Sequence, residues 1–171
     1  MASLMENLID VLDRESNEYE GLLSISRRKT PIIVGGDLDE LQKITDEEQD
    51  MVNRLNALER RRMEVTADIA TVLNRDVTKL TLTNLIDMLA GRPAEQNALA
   101  EIHDKLHRTV RELKRVNEHN SSLLKDALEM VEFEINLLQA SKQAPETANY
   151  NRGAYNAGDT MGVSRGFDAK Q

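Results

Sequence analysis

A chain of 171 residues with 40% hydrophobic residues, 3% aromatics and no Trp must build its core from Leu, Ile, Val, Ala and Met, which suits helix-on-helix seams better than a β-sandwich. The formal net charge of −8 argues against attraction to phosphate backbones or anionic membranes, so neither a nucleic-acid partner nor a stable membrane insertion is expected. The absence of Cys removes disulfides, thiolate metal sites and Cys nucleophiles, and fits a reducing cytoplasm.

The chain opens with Leu4, Leu8, Leu12, Tyr19 and Leu22 at helical spacing, behind Ser3 as N-cap and Glu6 as its capping-box partner. This start has neither the basic n-region nor the apolar run of a signal peptide or membrane span, so a soluble, cytoplasmic protein is expected. Helix one is predicted over about 3–33. Its end is blurred: Arg27, Arg28 and Lys29 suit a helix C-terminus and Thr30 precedes Pro31, yet Ile32, Ile33 and Val34 can extend it past a proline kink. Gly35 and Gly36 then supply a tight turn and Asp37 an N-cap.

Helix two is predicted over 38–74, with its stripe at Leu41, Ile44, Leu55, Leu58, Val65 and Ile69. Its acidic first third suits the helix dipole and reads as a solvated face with intrahelical ion pairs such as Glu59 to Arg62. A connector comes next, then a short helix over 82–90 capped by Thr81, placing Leu82, Leu85, Ile86 and Leu89 on one side as a lid over the ends of the long helices. Pro93 opens the last helix, predicted over 93–141 without an internal Pro or Gly and roughly 70 Å long. The fold class is therefore all-α: an elongated antiparallel helical bundle or coiled coil of three long helices and one short connecting helix, occupying residues 1–142. Residues 143–171 are rich in Gly, Asn and Ala and read as a flexible or partner-ordered tail, in which Tyr150, Tyr155 and Phe167 are candidate short-motif anchors.

A search for catalytic chemistry finds no glycine-rich phosphate loop, no nucleophile elbow and no strand to carry one. His103 and His107 share a helix face but lack a third and fourth ligand: Glu101 and Asp104 point elsewhere, and His119 lies about three turns on. No enzyme activity, cofactor or metal is expected. Arg60, Arg61 and Arg62 read as surface charge balance.

Asn117 and Asn120 interrupt the stripe of the last helix between Val116 and Leu123. An Asn at a seam fixes register. Either the two form a polar layer satisfied inside the bundle, or they mark where a groove from Leu123 to Leu138 is left open for a foreign helix, with Met130 making it adaptable. Helices one and two are both shorter than the last, which favours an uncovered end.

The segment NEYEGLLSISRRKTPIIVGGDLDELQKITDEEQDMVNRLNALERRR and the later VNEHNSSLL resemble the FlgN family of flagellar export chaperones. The positions that carry the likeness are Glu18, Tyr19, Leu22, Leu23, Lys29, Asp37, Leu38, Leu41, Glu48, Arg60, Asn117, Asn120, Leu123 and Leu124, and the tail's Tyr150 to Gly153 is similar to a Tyr-x-x-Gly stretch of Gram-positive members. Pro31 departs from the pattern, falling inside a segment the family keeps helical. The resemblance implies a cytoplasmic type III secretion chaperone without ATPase activity. Such a chaperone binds the C-terminal helices of hook-associated proteins 1 and 3, prevents their premature assembly and hands them to the export apparatus and its gate protein. On that reading the substrate helix docks along Asn117, Asn120, Leu124, Leu128, Val131, Ile135 and Leu138, and Tyr150 or Tyr155 serves the export gate. Two rivals are a structural coiled-coil protein that forms a homodimer through the same stripe and a metal-dependent helical-bundle enzyme.

Overall fold

A computed structural model describes residues 3–143. Among these, four α-helices occur in order: α1 (Leu4–Gly35), α2 (Leu38–Val72), α3 (Leu82–Met88) and α4 (Pro93–Gln143), with a single 3-10 turn, Val77–Lys79, between α2 and α3. The all-α class expected from the periodicity is the one observed. Two compact units divide the chain, Met1–Asp126 and Ala127–Gln171.

Each boundary has a local cause. The Ser3 hydroxyl accepts from the Glu6 amide at 3.1 Å while the Glu6 carboxylate accepts from the Ser3 amide at 2.6 Å, which closes the capping box at the start of α1. Helix α1 does not stop at Pro31 but continues to Gly35, two residues beyond the predicted end near residue 33. Gly36 then takes φ 69°, a left-handed conformation that glycine enters without a Cβ penalty, and its amide donates to the carbonyls of Ile32 and Ile33. Asp37 caps α2 through a bond from the Glu40 amide at 3.0 Å. Helix α2 ends at Val72, two residues before the predicted end, because Asn74 turns to φ 49°. Thr81 caps α3 as expected, and the Gln96 side chain ties the first turn of α4 to the Ile86 carbonyl of α3 at 3.0 Å.

Ion pairs and hydrogen bonds fix the directions of the long helices in Met1–Asp126. Glu15 pairs with Arg62, Glu18 with Arg54 and Arg28 with Glu47, so numbers rise on α1 as they fall on α2, and the two are antiparallel. Glu20 pairs with Lys105, Arg27 with Glu112, and Thr30 bonds Asn120, so α1 and α4 are parallel. Helix α4 therefore returns antiparallel to α2, as the crossing helix between them permits.

The main core joins Leu8 and Leu12 of α1, Val65 and Ile69 of α2, Leu85 of α3 with its C-cap Leu89, and Leu99 of α4. Leu85 is fully buried there, so the short helix does close one end of the long ones. Burying each such leucine contributes about 1.5–3 kcal/mol against the cost of ordering the chain. A second cluster, Leu22, Leu55 and Leu113, lies further along α1.

Candidate functional site

Between and beyond the apolar clusters the seam turns polar. Glu15 of α1 is 3% exposed and its carboxylate accepts from Arg62 Nε of α2 at 3.0 Å. Burial pushes the Glu15 carboxyl above its usual range, against the opposing pull of the Arg62 guanidinium. Arg62 also reaches Glu59 at 3.6 Å, the intrahelical pair expected from the spacing. Glu47 and Glu48, by contrast, pair across to α1, so the acidic start of α2 is more than a solvated face.

The last polar contact holds α1 to α4. Ser26 Oγ donates to Asn117 Oδ1 at 2.8 Å, Thr30 Oγ1 donates to Asn120 Oδ1 at 2.6 Å, and Asn120 Nδ2 donates to the Ser26 carbonyl at 2.8 Å. Asn120 is 4% exposed. Both ends of its amide are satisfied inside the bundle, so it forms the polar layer and is not a free surface; Asn117, although exposed, uses its oxygen in the same layer. The hydrogen-bonding atoms of these two residues face α1, so they lock the register between α1 and α4, as the polar-layer alternative expects.

The register set by Thr30 and Asn120 fixes where the cover of α4 ends. Five residues after Thr30, α1 reaches its end at Gly35, and α2 starts at Leu38 on the far side of the turn. The same five steps on the parallel α4 lead to Lys125. Both covering helices thus run out together, while α4, at 51 residues, continues to Gln143. Leu123 and Leu124 are half-buried, and every residue from Lys125 to Gln143 is exposed. Leu128, Val131, Ile135 and Leu138, predicted from spacing, are exposed by 48% at Ile135 to 64% at Leu128. Sequence reasoning passed over Phe133 and Leu137, which are exposed to a similar degree beside Met130. Their signal was present as a second three-then-four spacing, Met130, Phe133, Leu137. Tyr150 and Tyr155 lie outside the described residues.

The His103 and His107 rings stack at 6.2 Å between centroids, and Arg111 faces His107 Nδ1 at 3.3 Å. Among the described residues no group of three or more His, Asp or Glu is placed to hold a metal ion. No described helix is long and apolar enough to cross a membrane.

Six of the positions that resemble FlgN chaperones are therefore in contacts that hold the bundle: Glu18 to Arg54, Lys29 to Glu48, the Asp37 cap and the Asn117–Asn120 layer. The FlgN protein family matches residues 1–157. The chain belongs to the FlgN family. It is also similar to uncharacterized protein YvyG of Bacillus subtilis (strain 168), 26% identical over 144 residues that cover 84% of this chain and 83% of that protein. No solved structure matches the chain. FlgN proteins are flagellar export chaperones that bind hook-associated proteins, and the family is one of chaperones rather than enzymes. From Leu128 to Leu138 the end of α4 carries large apolar side chains in solvent.

Proposed function

We propose that this chain is a cytoplasmic chaperone that captures the C-terminal helices of hook-associated proteins 1 and 3 on the end of α4, keeps them from assembling early and delivers them to the export apparatus. The observation that carries the reading is the contrast along one helix: up to Asn120 the inner positions of α4 are buried, and from Leu128 to Leu138 large apolar side chains stand in solvent. A contiguous apolar face of this kind on an otherwise acidic, charged chain marks an interaction surface. An amphipathic substrate helix laid along Leu124, Leu128, Val131, Ile135 and Leu138 continues the three-then-four spacing that α4 uses inside the bundle. Hook-associated subunits in transit must keep their assembly helices covered, and reversible burial on an exposed stripe meets that need without ATP.

Changing Leu128, Val131 and Ile135 together to Asp tests this. Substrate affinity measured by calorimetry is expected to fall at least ~100-fold, since three hot-spot-sized apolar contacts are lost and charge is placed at each. Full affinity in a variant that keeps its helical circular dichroism would refute the docking site. Handover to the export gate is assigned to Tyr150 or Tyr155 in the aromatic-bearing tail. A chain ending at Ser141 is then expected to keep substrate binding and lose binding to the gate protein; unchanged gate binding would remove that assignment.

A further inference from the structure

We infer that the end of α4 is covered by two helices of its partner rather than one, so that α4 becomes the central member of a three-helix arrangement with the substrate. This rests on the proposed docking of a hook-associated protein at the same place. At ~100° per residue, Leu128, Val131, Ile135 and Leu138 fall within an arc of ~80°, and Met130, Phe133 and Leu137 within a second arc centred ~150° away. Both sets are exposed to a similar degree, and Phe133, one of two phenylalanines in the chain, is 62% exposed. Ala127 and Glu134 lie between the arcs on one side. On the other side Glu129, Glu132, Asn136 and Gln139 form an uninterrupted polar strip.

One packed helix covers a stripe of ~100°, whereas these two sets together span ~220° of the circumference. A single docked helix seated on the first set leaves Phe133 and Leu137 in water. Inside Met1–Asp126 the problem is solved by two neighbours, α1 and α2, which end together at the turn near Gly36. A pair of partner helices supplies the same cover further along the helix. The acidic polar strip sets the remaining chemistry: the partner pair flanks the strip around Glu132 with Lys, Arg or amide side chains.

Calorimetric titration of the full chain with full-length hook-associated protein 1 of the same organism separates the outcomes, using the pairs Val131→Asp with Ile135→Asp and Phe133→Asp with Leu137→Asp. All four positions are exposed, so each variant is expected to retain the wild-type circular dichroism. Two-helix cover predicts that each pair alone weakens binding at least ~30-fold. Loss through the first pair only would overturn two-helix cover and leave the docking reading standing. Loss through neither pair, or no binding by the wild-type chain, would overturn both. Sedimentation of the chain alone is expected to report a monomer; a dimer dissolved by the Phe133 and Leu137 substitutions would assign the second arc to another copy of the chain and overturn the proposal.

Discussion

At the scale of single residues, Glu15, Ser26, Asn117 and Asn120 set polar groups in the seam and each is answered across it, whereas the buried Ser16 hydroxyl has no partner among the described residues. Glu15 is the severest case, a carboxylate nearly removed from water and held by a half-buried guanidinium. Because its folded-state pKa is raised, its contribution to stability is fully present below the ordinary carboxylate value of 4.5 and fades as pH rises through the folded value. Arg62 offsets that loss near neutrality. Arg62→Ala is therefore expected to destabilise the protein by about 2–4 kcal/mol at pH 7 and by clearly less at pH 4, where Glu15 takes up a proton and needs no cation. Urea denaturation at the two pH values measures the difference, and an equal loss at both would show that Arg62 acts through packing alone. Asn120 is built on the same rule with neutral partners, its carbonyl and amide each taken by α1. An Asn read in a helical stripe announces a polar layer; which helix answers it depends on Thr30, 90 residues away in sequence.

At the scale of elements, α1 carries a proline it does not need for a turn. Pro31 donates no amide hydrogen bond, and its ring crowds the carbonyl of Arg27 one turn back, yet the helix persists to Gly35. Side-chain contacts on both sides of the break account for this. Thr30 and Ser26 are bonded to α4, Lys29 and Arg28 to α2, and Ile33 is buried. Tertiary contacts thus override the local bias of a pre-proline residue, and for that reason the end of α1 could not be read from Thr30–Pro31 alone. Restoring the missing hydrogen bond should help. Pro31→Ala is expected to raise stability by about 1–3 kcal/mol in chemical denaturation, with the circular dichroism of the native state unchanged; a loss of stability would mean that the proline sets a bend the bundle requires. The other long helices were legible because their stripes run unbroken between strong caps. Leucine spacing and the Asp37, Thr81 and Pro93 signals place α2, α3 and α4 to within a few residues.

At the scale of the whole molecule, the proposed function rests on a mismatch of helix lengths. Helices α1 and α2, of 32 and 35 residues, are joined by a tight turn and stop together, while α4 has 51 residues. The lengths were visible in the sequence, and so was the first apolar arc beyond Leu123. The register was not, since it depends on which α1 residues meet Asn117 and Asn120; nor was the exposure of Phe133 and Leu137, since a second stripe on one helix has meaning only once the first is known to be uncovered. FlgN membership and the exposed apolar residues of Leu128 to Leu138 then support the proposed account, in which these residues meet a hook-associated protein.

Hydrogen exchange of the full chain, free and saturated with a hook-associated protein, tests that account most directly. Amides of residues 127–141 are expected to exchange fast in the free chain and to gain at least ~100-fold protection in the complex, while those of α1 and α2 change little. Protection confined to α1 or α2, with residues 127–141 exchanging as fast as before, would contradict it.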